Sequence, residues 1–258
     1  MSLVAQGPKR DRRLYTSKGD PEILKHVAKY QFLTVEQAAS LLKRNIIATR
    51  RRMMQLHAGG ILNRVRVTES PYPMWVYFLA ENGGGQAAEL GYLPAPRWTD
   101  AKSPTHVMHD LTITDFHLAL EKALHESGHT LLWEQWRGDM ADMLDPDGEI
   151  DLIPDARFII DDEEPSLLEV VRSYESEYER GKSSLQKKLE AYKKLGIHRV
   201  YITMPTKLRV ANFLGKIEEE MPSTQFWFTD EESFKQRILG KIWWTPKDFR
   251  DRTYSVFK

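Results

Sequence analysis

The sequence predicts a mixed chain, α+β in its first third and α/β in the remainder: a basic three-helix unit closed by a β-hairpin, then a layered domain built on a mixed sheet. Three observations carry this reading. Charge divides sharply, with fourteen Lys and Arg against five Asp and Glu in residues 1–80, and 23 against 32 in the rest. Hydrophobic spacing is helical early on, with apolar residues three and four apart, and the order after residue 104 becomes helix, strands, helix, strand. With 258 residues and 41% hydrophobic side chains, the chain has enough apolar material for a substantial core and enough length for two domains.

Residues 1–19 are polar and basic without periodicity and are expected to form a flexible arm. Asp20 then offers an N-cap with Pro21 at the first helical position, and Ile23, Leu24, Val27 and Ala28 form the apolar stripe of a first helix. Thr34 with Gln37 three residues on reads as a capping box opening a second helix. After the loop Lys43-Arg44-Asn45, a third helix over 46–57 places Ile46, Thr49, Met53 and Leu56 on one face. Ile47, Ala48, Arg51 and Gln55 fall on the other, with Arg50 and Arg52 on its flanks. Gly59-Gly60 ends it, and Ile61–Val67 and Met74–Leu79 alternate as two strands joined across the turn at 69–73.

This order over residues 20–80 resembles the winged helix-turn-helix family of bacterial DNA-binding domains, which implies duplex DNA as a partner. Arg51 and Gln55 are the candidates for base edges; Lys43, Arg44, Arg50, Arg52 and the wing residues Arg64 and Arg66 are the candidates for phosphates. Residues 81–103, with Gly83-Gly84-Gly85, Pro94 and Pro96, are expected to be a linker holding a short helical piece near 86–90.

The domain expected over 104–258 begins with a long helix (106–125) and a strand from Leu131. Strands at 150–160 and 166–171 flank the acidic turn Asp161–Glu164, and a helix over about 175–195 precedes a buried strand, 199–203. A further helix from Lys207, a strand near 225–228, a helix near 231–239 and the aromatic run Ile242-Trp243-Trp244 complete it.

Within this domain, Pro154-Asp155-Ala156 followed by Leu168-Glu169-Val170 places two carboxylates on neighbouring strands, where hard oxygen ligands can hold Mg²⁺. The arrangement resembles the PD-(D/E)XK nucleases, and a restriction-endonuclease-like fold is what the resemblance implies. Asp155 and Glu169 would be the catalytic and metal-binding carboxylates. The lysine that family carries two residues after the Glu is Val171 here, and an apolar side chain neither takes a proton nor stabilises a phosphorane. Arg172, on the next position of a strand, points to the other face.

Taken whole, with His109-Asp110-Leu111 and Asp115, Pro154-Asp155-Ala156, Glu169-Val170, Lys187-Lys188 and Tyr192, the chain resembles the replication-relaxation family of plasmids, phages and integrated elements. That resemblance implies replication or mobilisation proteins as partners and a homodimer. The expected function is DNA binding with a nuclease-like domain used for assembly, with no cofactor, or Mg²⁺ if the carboxylate site is functional. The alternatives are a metal-dependent nuclease or nickase and a transcription repressor. His106, His109 and Asp110 form a second metal candidate, and Glu134 is a candidate member of the acidic cluster or a solvated strand residue. Lys182, Lys187 and Lys188, on the helix after the Glu strand, read as a charged solvent face, or as DNA-backbone contacts by the resemblance to the nucleases. The absence of cysteine excludes thiolate chemistry, and the lack of an apolar leader or an 18-residue apolar run places the expected protein in the cytoplasm, away from membranes.

Overall fold

A computed structural model describes residues 19–68, 73–93, 103–135, 153–172, 184–215 and 226–246. Eight helices and two sheets are built from the described residues. The chain divides into two compact units, residues 1–114 and 115–258.

The first unit opens with α1 (Asp20–Tyr30), α2 (Val35–Leu41) and α3 (Ile46–Ala58). Thr34 caps α2 through the expected box: its hydroxyl accepts the Gln37 N–H at 3.1 Å, and Gln37 Oε1 accepts the Thr34 N–H at 3.0 Å. Asn45 caps α3, its Oδ1 accepting the Ile47 and Ala48 N–H groups at 2.9 and 3.3 Å. Asp20 does not cap α1, because its carboxylate is turned to Arg52; Gly19 occupies that position without a side-chain bond.

A three-stranded antiparallel sheet completes this layer in the order β1 (Leu33–Thr34), β3 (Met74–Leu79), β2 (Leu62–Val67). Its inner face packs Phe32, Val65, Val67, Val76 and Phe78 with Val107 and Leu111 of α5 (Pro104–Glu126). Residues 69–72, the expected hairpin turn, lie outside the described residues, as do the basic arm (1–18) and 94–102.

The expected linker at 81–103 begins as helix α4 (Glu81–Glu89), with Ala87 and Leu93 buried. The glycine triplet invites a flexible reading, yet Gly83 is a close approach: a Cβ there would sit 2.1 Å from the Ile61 carbonyl oxygen. The division between units falls inside α5, which gives residues up to Thr114 to the first and from Asp115 to the second.

The second unit is a five-stranded mixed sheet in the order β4 (Leu131–Glu134), β5 (Ala156–Ile160), β6 (Ser166–Val170), β7 (Val200–Met204), β8 (Phe226–Asp230). The first two junctions are antiparallel and the last two parallel. Strands β6 and β7 are buried at every position, as expected for central strands covered on both faces. On one face Phe116 of α5 sits among Trp133, Phe158, Phe234 and Trp243, with centroids 5.3 to 6.3 Å away. On the other, Leu167, Val171, Val200, Ile202 and Phe228 pack with Leu185 and Leu189 of α6 (Ser184–Lys194) and Val210 and Phe213 of α7 (Lys207–Leu214). Asp230 caps α8 (Glu231–Arg237) by accepting the Ser233 N–H at 3.1 Å. Much of the expected 175–195 helix, including Lys182, and the later part of the helix expected from Lys207 lie outside the described residues.

Candidate functional site

Two sets of residues, one in each unit, have the chemistry of a functional site. In the first unit, α3 buries Thr49, Met53 and Leu56 and exposes Ile47, Ala48, Arg50, Arg51, Met54 and Gln55. Ile46, expected on the buried face, is 38% exposed. No Asp or Glu lies anywhere on this helix, so its outer surface is cationic and apolar. Lys43 and Arg44 precede it, both exposed; the Arg44 guanidinium lies against the Gly19 backbone.

The expected phosphate and base contacts separate into groups. Arg51 is exposed and makes no ion pair with a described residue. Arg50 reaches Glu36 only at 3.5 Å, with both side chains more than half exposed. Arg52 is a structural group: its Nε donates to Asp20 Oδ1 at 2.6 Å, its Nη2 to Oδ2, and its Nη1 to Gln55 Oε1 at 2.8 Å. Asp20 is 1% exposed, so this fork–fork pair ties α1 to α3 in place of a phosphate contact. Gln55 is consequently held by Arg52 on the exposed surface. On the hairpin, Arg64 stacks its guanidinium 4.2 Å from the Trp75 ring centroid, whereas Arg66 is exposed.

In the second unit, the alternation of β6 puts Leu167, Glu169 and Val171 on the face covered by α6 and α7. Glu169 is 2% exposed and Asp155 7%. The Asp155 N–H donates to the Leu168 carbonyl at 3.0 Å, and its Oδ2 accepts the Val170 N–H at 2.7 Å, which locks the start of β5 to β6. Glu169 receives two side chains from one face of α6, four residues apart: Lys188 Nζ at 2.7 Å from Oε2, and the Tyr192 hydroxyl on Oε1. Burial, then the charge of Asp155, push the Glu169 carboxyl up to about 7 against the opposing pull of Lys188. Burial beside that carboxylate likewise pushes the Tyr192 hydroxyl upward.

Lys188 was expected on a charged solvent face, and the fold turns it inward. The signal was present: Leu185, Leu189 and Tyr192 define the buried face of α6, and Lys188 lies one step to its side. Lys187, its neighbour, is exposed. Val171 packs in the core beside Leu185, so that position has no room for a charged group. Arg172 pairs with Glu231, and Glu134 accepts from Arg157 at 2.5 Å across the β4–β5 pair instead of joining the acidic site.

The donor set does not suit a divalent cation as it stands. Both oxygens of Glu169 and one of Asp155 are already engaged, and a lysine ammonium occupies the place of a counter-charge. Among the described residues, no group of three or more His, Cys, Asp and Glu side chains is arranged to hold a metal ion. His106 and His109 instead face the buried Asp110, at 3.5 and 3.2 Å. Burial would raise the Asp110 carboxyl, but hydrogen bonds from both histidines overcome it and hold the group well below the usual carboxylate range.

A basic helical unit followed by a mixed-sheet unit with a buried Asp–Glu–Lys–Tyr network defines a two-part α/β protein. The family model described as replication-relaxation matches residues 24–204, more than half of the chain, and the protein belongs to that family. No curated protein and no solved structure matches it. Membership points to a role in the replication or mobilisation of mobile elements. No helix among the described residues is long and apolar enough to cross a membrane.

Proposed function

We propose that this chain binds duplex DNA in the replication or mobilisation of a mobile element, with the first unit acting as a winged helix-turn-helix that sets α3 in the major groove. The observation that carries this reading is the outer surface of α3, where Arg50 and Arg51 stand exposed on a helix without acids while Thr49, Met53 and Leu56 hold it to the unit. A cationic helix of this kind neutralises phosphates and presents hydrogen-bond donors to base edges. Lys43, Arg44 and Arg66 join Arg50 as the phosphate contacts, and Arg51 is the base reader. Fluorescence anisotropy with duplex DNA over a salt series tests this. Binding that weakens steeply with salt and collapses in the Arg50→Ala, Arg51→Ala double variant is expected; unchanged affinity in that variant refutes it.

The second unit supports a restriction-endonuclease-like fold through its β4–β5–β6 antiparallel run, the α6 crossover and parallel β7. Its carboxylate pair is consumed by internal partners, so we assign this unit to assembly, through a homodimer or replication partners, with no cofactor. One observation favours a second reading, a Mg²⁺-dependent nuclease: Lys188 brings to Glu169 the ammonium that Val171 does not supply. That reading requires the cation to displace Lys188 or Tyr192 from Glu169. Incubating supercoiled and linear DNA with the full chain in Mg²⁺ or Mn²⁺ separates the two. Cleavage that disappears in Asp155→Ala and Lys188→Ala overturns the assembly role.

A further inference from the structure

Three large apolar side chains stand exposed on α3, with Ile47 at 72%, Met54 at 49% and Ile46 at 38%. Single exposed apolar residues on a surface need no explanation. These are different in arrangement. At 100° per residue, Ile47, Arg51 and Met54 lie within about 60° of one another, so the ridge of the helix alternates apolar and cationic groups. Asn45 fixes the first turn that carries Ile47. Ile47 is β-branched, and a helix leaves such a side chain essentially one rotamer, so its methyl groups are held in place before any partner arrives.

The occupant of such a ridge must be anionic, since Lys43, Arg44, Arg50 and Arg51 surround it, and must also offer small apolar spots between its polar groups. The major groove of duplex DNA has that combination, its apolar group being the 5-methyl of thymine. From this complementarity, and resting on the reading of α3 as the DNA-reading helix, we propose that Ile47 and Arg51 form one specificity unit. Ile47 packs on a thymine methyl, and Arg51 donates to guanine O6 and N7 nearby. Four residues of helix rise about 6 Å, which spans about two base pairs, so the thymine and the guanine lie about two steps apart. Met54, one turn further along, covers the groove edge beyond Arg51.

The test uses the full chain and a library of duplexes with a randomised central segment. Selection is expected to return sites with thymine and guanine at that spacing. Replacing each thymine of the selected duplex in turn by deoxyuridine removes only the methyl. At one position this is expected to weaken binding about fourfold, the loss for one buried methyl group. The Ile47→Ala variant is expected to bind the thymine and uracil duplexes equally, with an unchanged melting temperature because the side chain is exposed. If DNA is bound but uracil is neutral at every position, the Ile47 assignment is wrong while the DNA-binding reading survives. If the wild type binds no duplex at any salt concentration, both fall. If Ile47→Ala alters the sedimentation of the protein and leaves DNA binding intact, the ridge is a protein interface and the proposal is overturned.

Discussion

Arg52 grips Asp20 across 32 positions of chain, with two guanidinium nitrogens on the two carboxylate oxygens of a side chain that is 1% exposed. Removing either partner breaks a charge pair whose carboxylate is buried. Arg52→Ala or Asp20→Ala is expected to destabilise the first unit by about 3 kcal/mol in urea denaturation. Arg51→Ala, one position away and exposed, should leave the midpoint unchanged. Equal effects at the two arginines would contradict the assignment of Arg52 to structure.

DNA binding should separate Arg51 from Arg66. Arg51→Ala is expected to cost roughly 1–3 kcal/mol at a specific site and much less on unrelated sequence, whereas Arg66→Ala weakens all sequences alike and lowers the salt slope by about one. Arg64 stacks on Trp75 and is expected to show a smaller change in slope than Arg66. Anisotropy titrations at several salt concentrations give all three values.

Glu169 makes stability depend on pH. Its folded-state value of about 7 lies above the ordinary value of 4.5, so the protonated form is favoured by folding. The contribution is full below pH 4.5 and lost as pH rises through 7. Thermal melts are expected to show the wild type losing stability relative to Glu169→Gln across that window. A difference between the two proteins that stays flat with pH would mean that folding leaves the Glu169 carboxyl unshifted. Lys188→Met removes the partner that pulls the value down, and is expected to move the transition to higher pH.

Gly83 and Gly85 occupy the same helix with opposite expectations. A Cβ at Gly83 meets the Ile61 carbonyl, and Gly83→Ala should destabilise by about 2 kcal/mol through forced backbone shifts. Nothing lies within 4 Å of a Cβ at Gly85, and Gly85→Ala should stabilise by about 0.5–1 kcal/mol because alanine loses less backbone freedom in a helix. Melting of the two variants decides whether α4 is a packed element.

Local chemistry was legible in the sequence and long-range partnership was not. The Thr34–Gln37 box needs only four residues to define it, and the periodicity of Thr49, Met53 and Leu56 suffices to orient α3. Asp20 and Arg52 each have a good local role, as cap and as phosphate contact, and only tertiary proximity makes them choose each other. Lys188 follows the same rule: its inward turn depends on Glu169, nineteen residues earlier on another element. Asp155 lies near enough for its charge to act on Glu169, while the partners that engage Glu169, Lys188 and Tyr192, come from a later helix that the strand pattern alone does not place.

The sheet order also sets a timetable. Every strand of the first sheet is supplied by residue 79 and its covering helix by residue 114, whereas the second sheet waits for β8 and for Trp243. At a synthesis rate of about 5–20 residues per second, the ribosome emits those two stretches on the order of ten seconds apart. Nascent chains therefore finish the cationic unit while Phe116 and Tyr201 still lack Trp243. That interval is when this protein is most exposed to aggregation and to proteases.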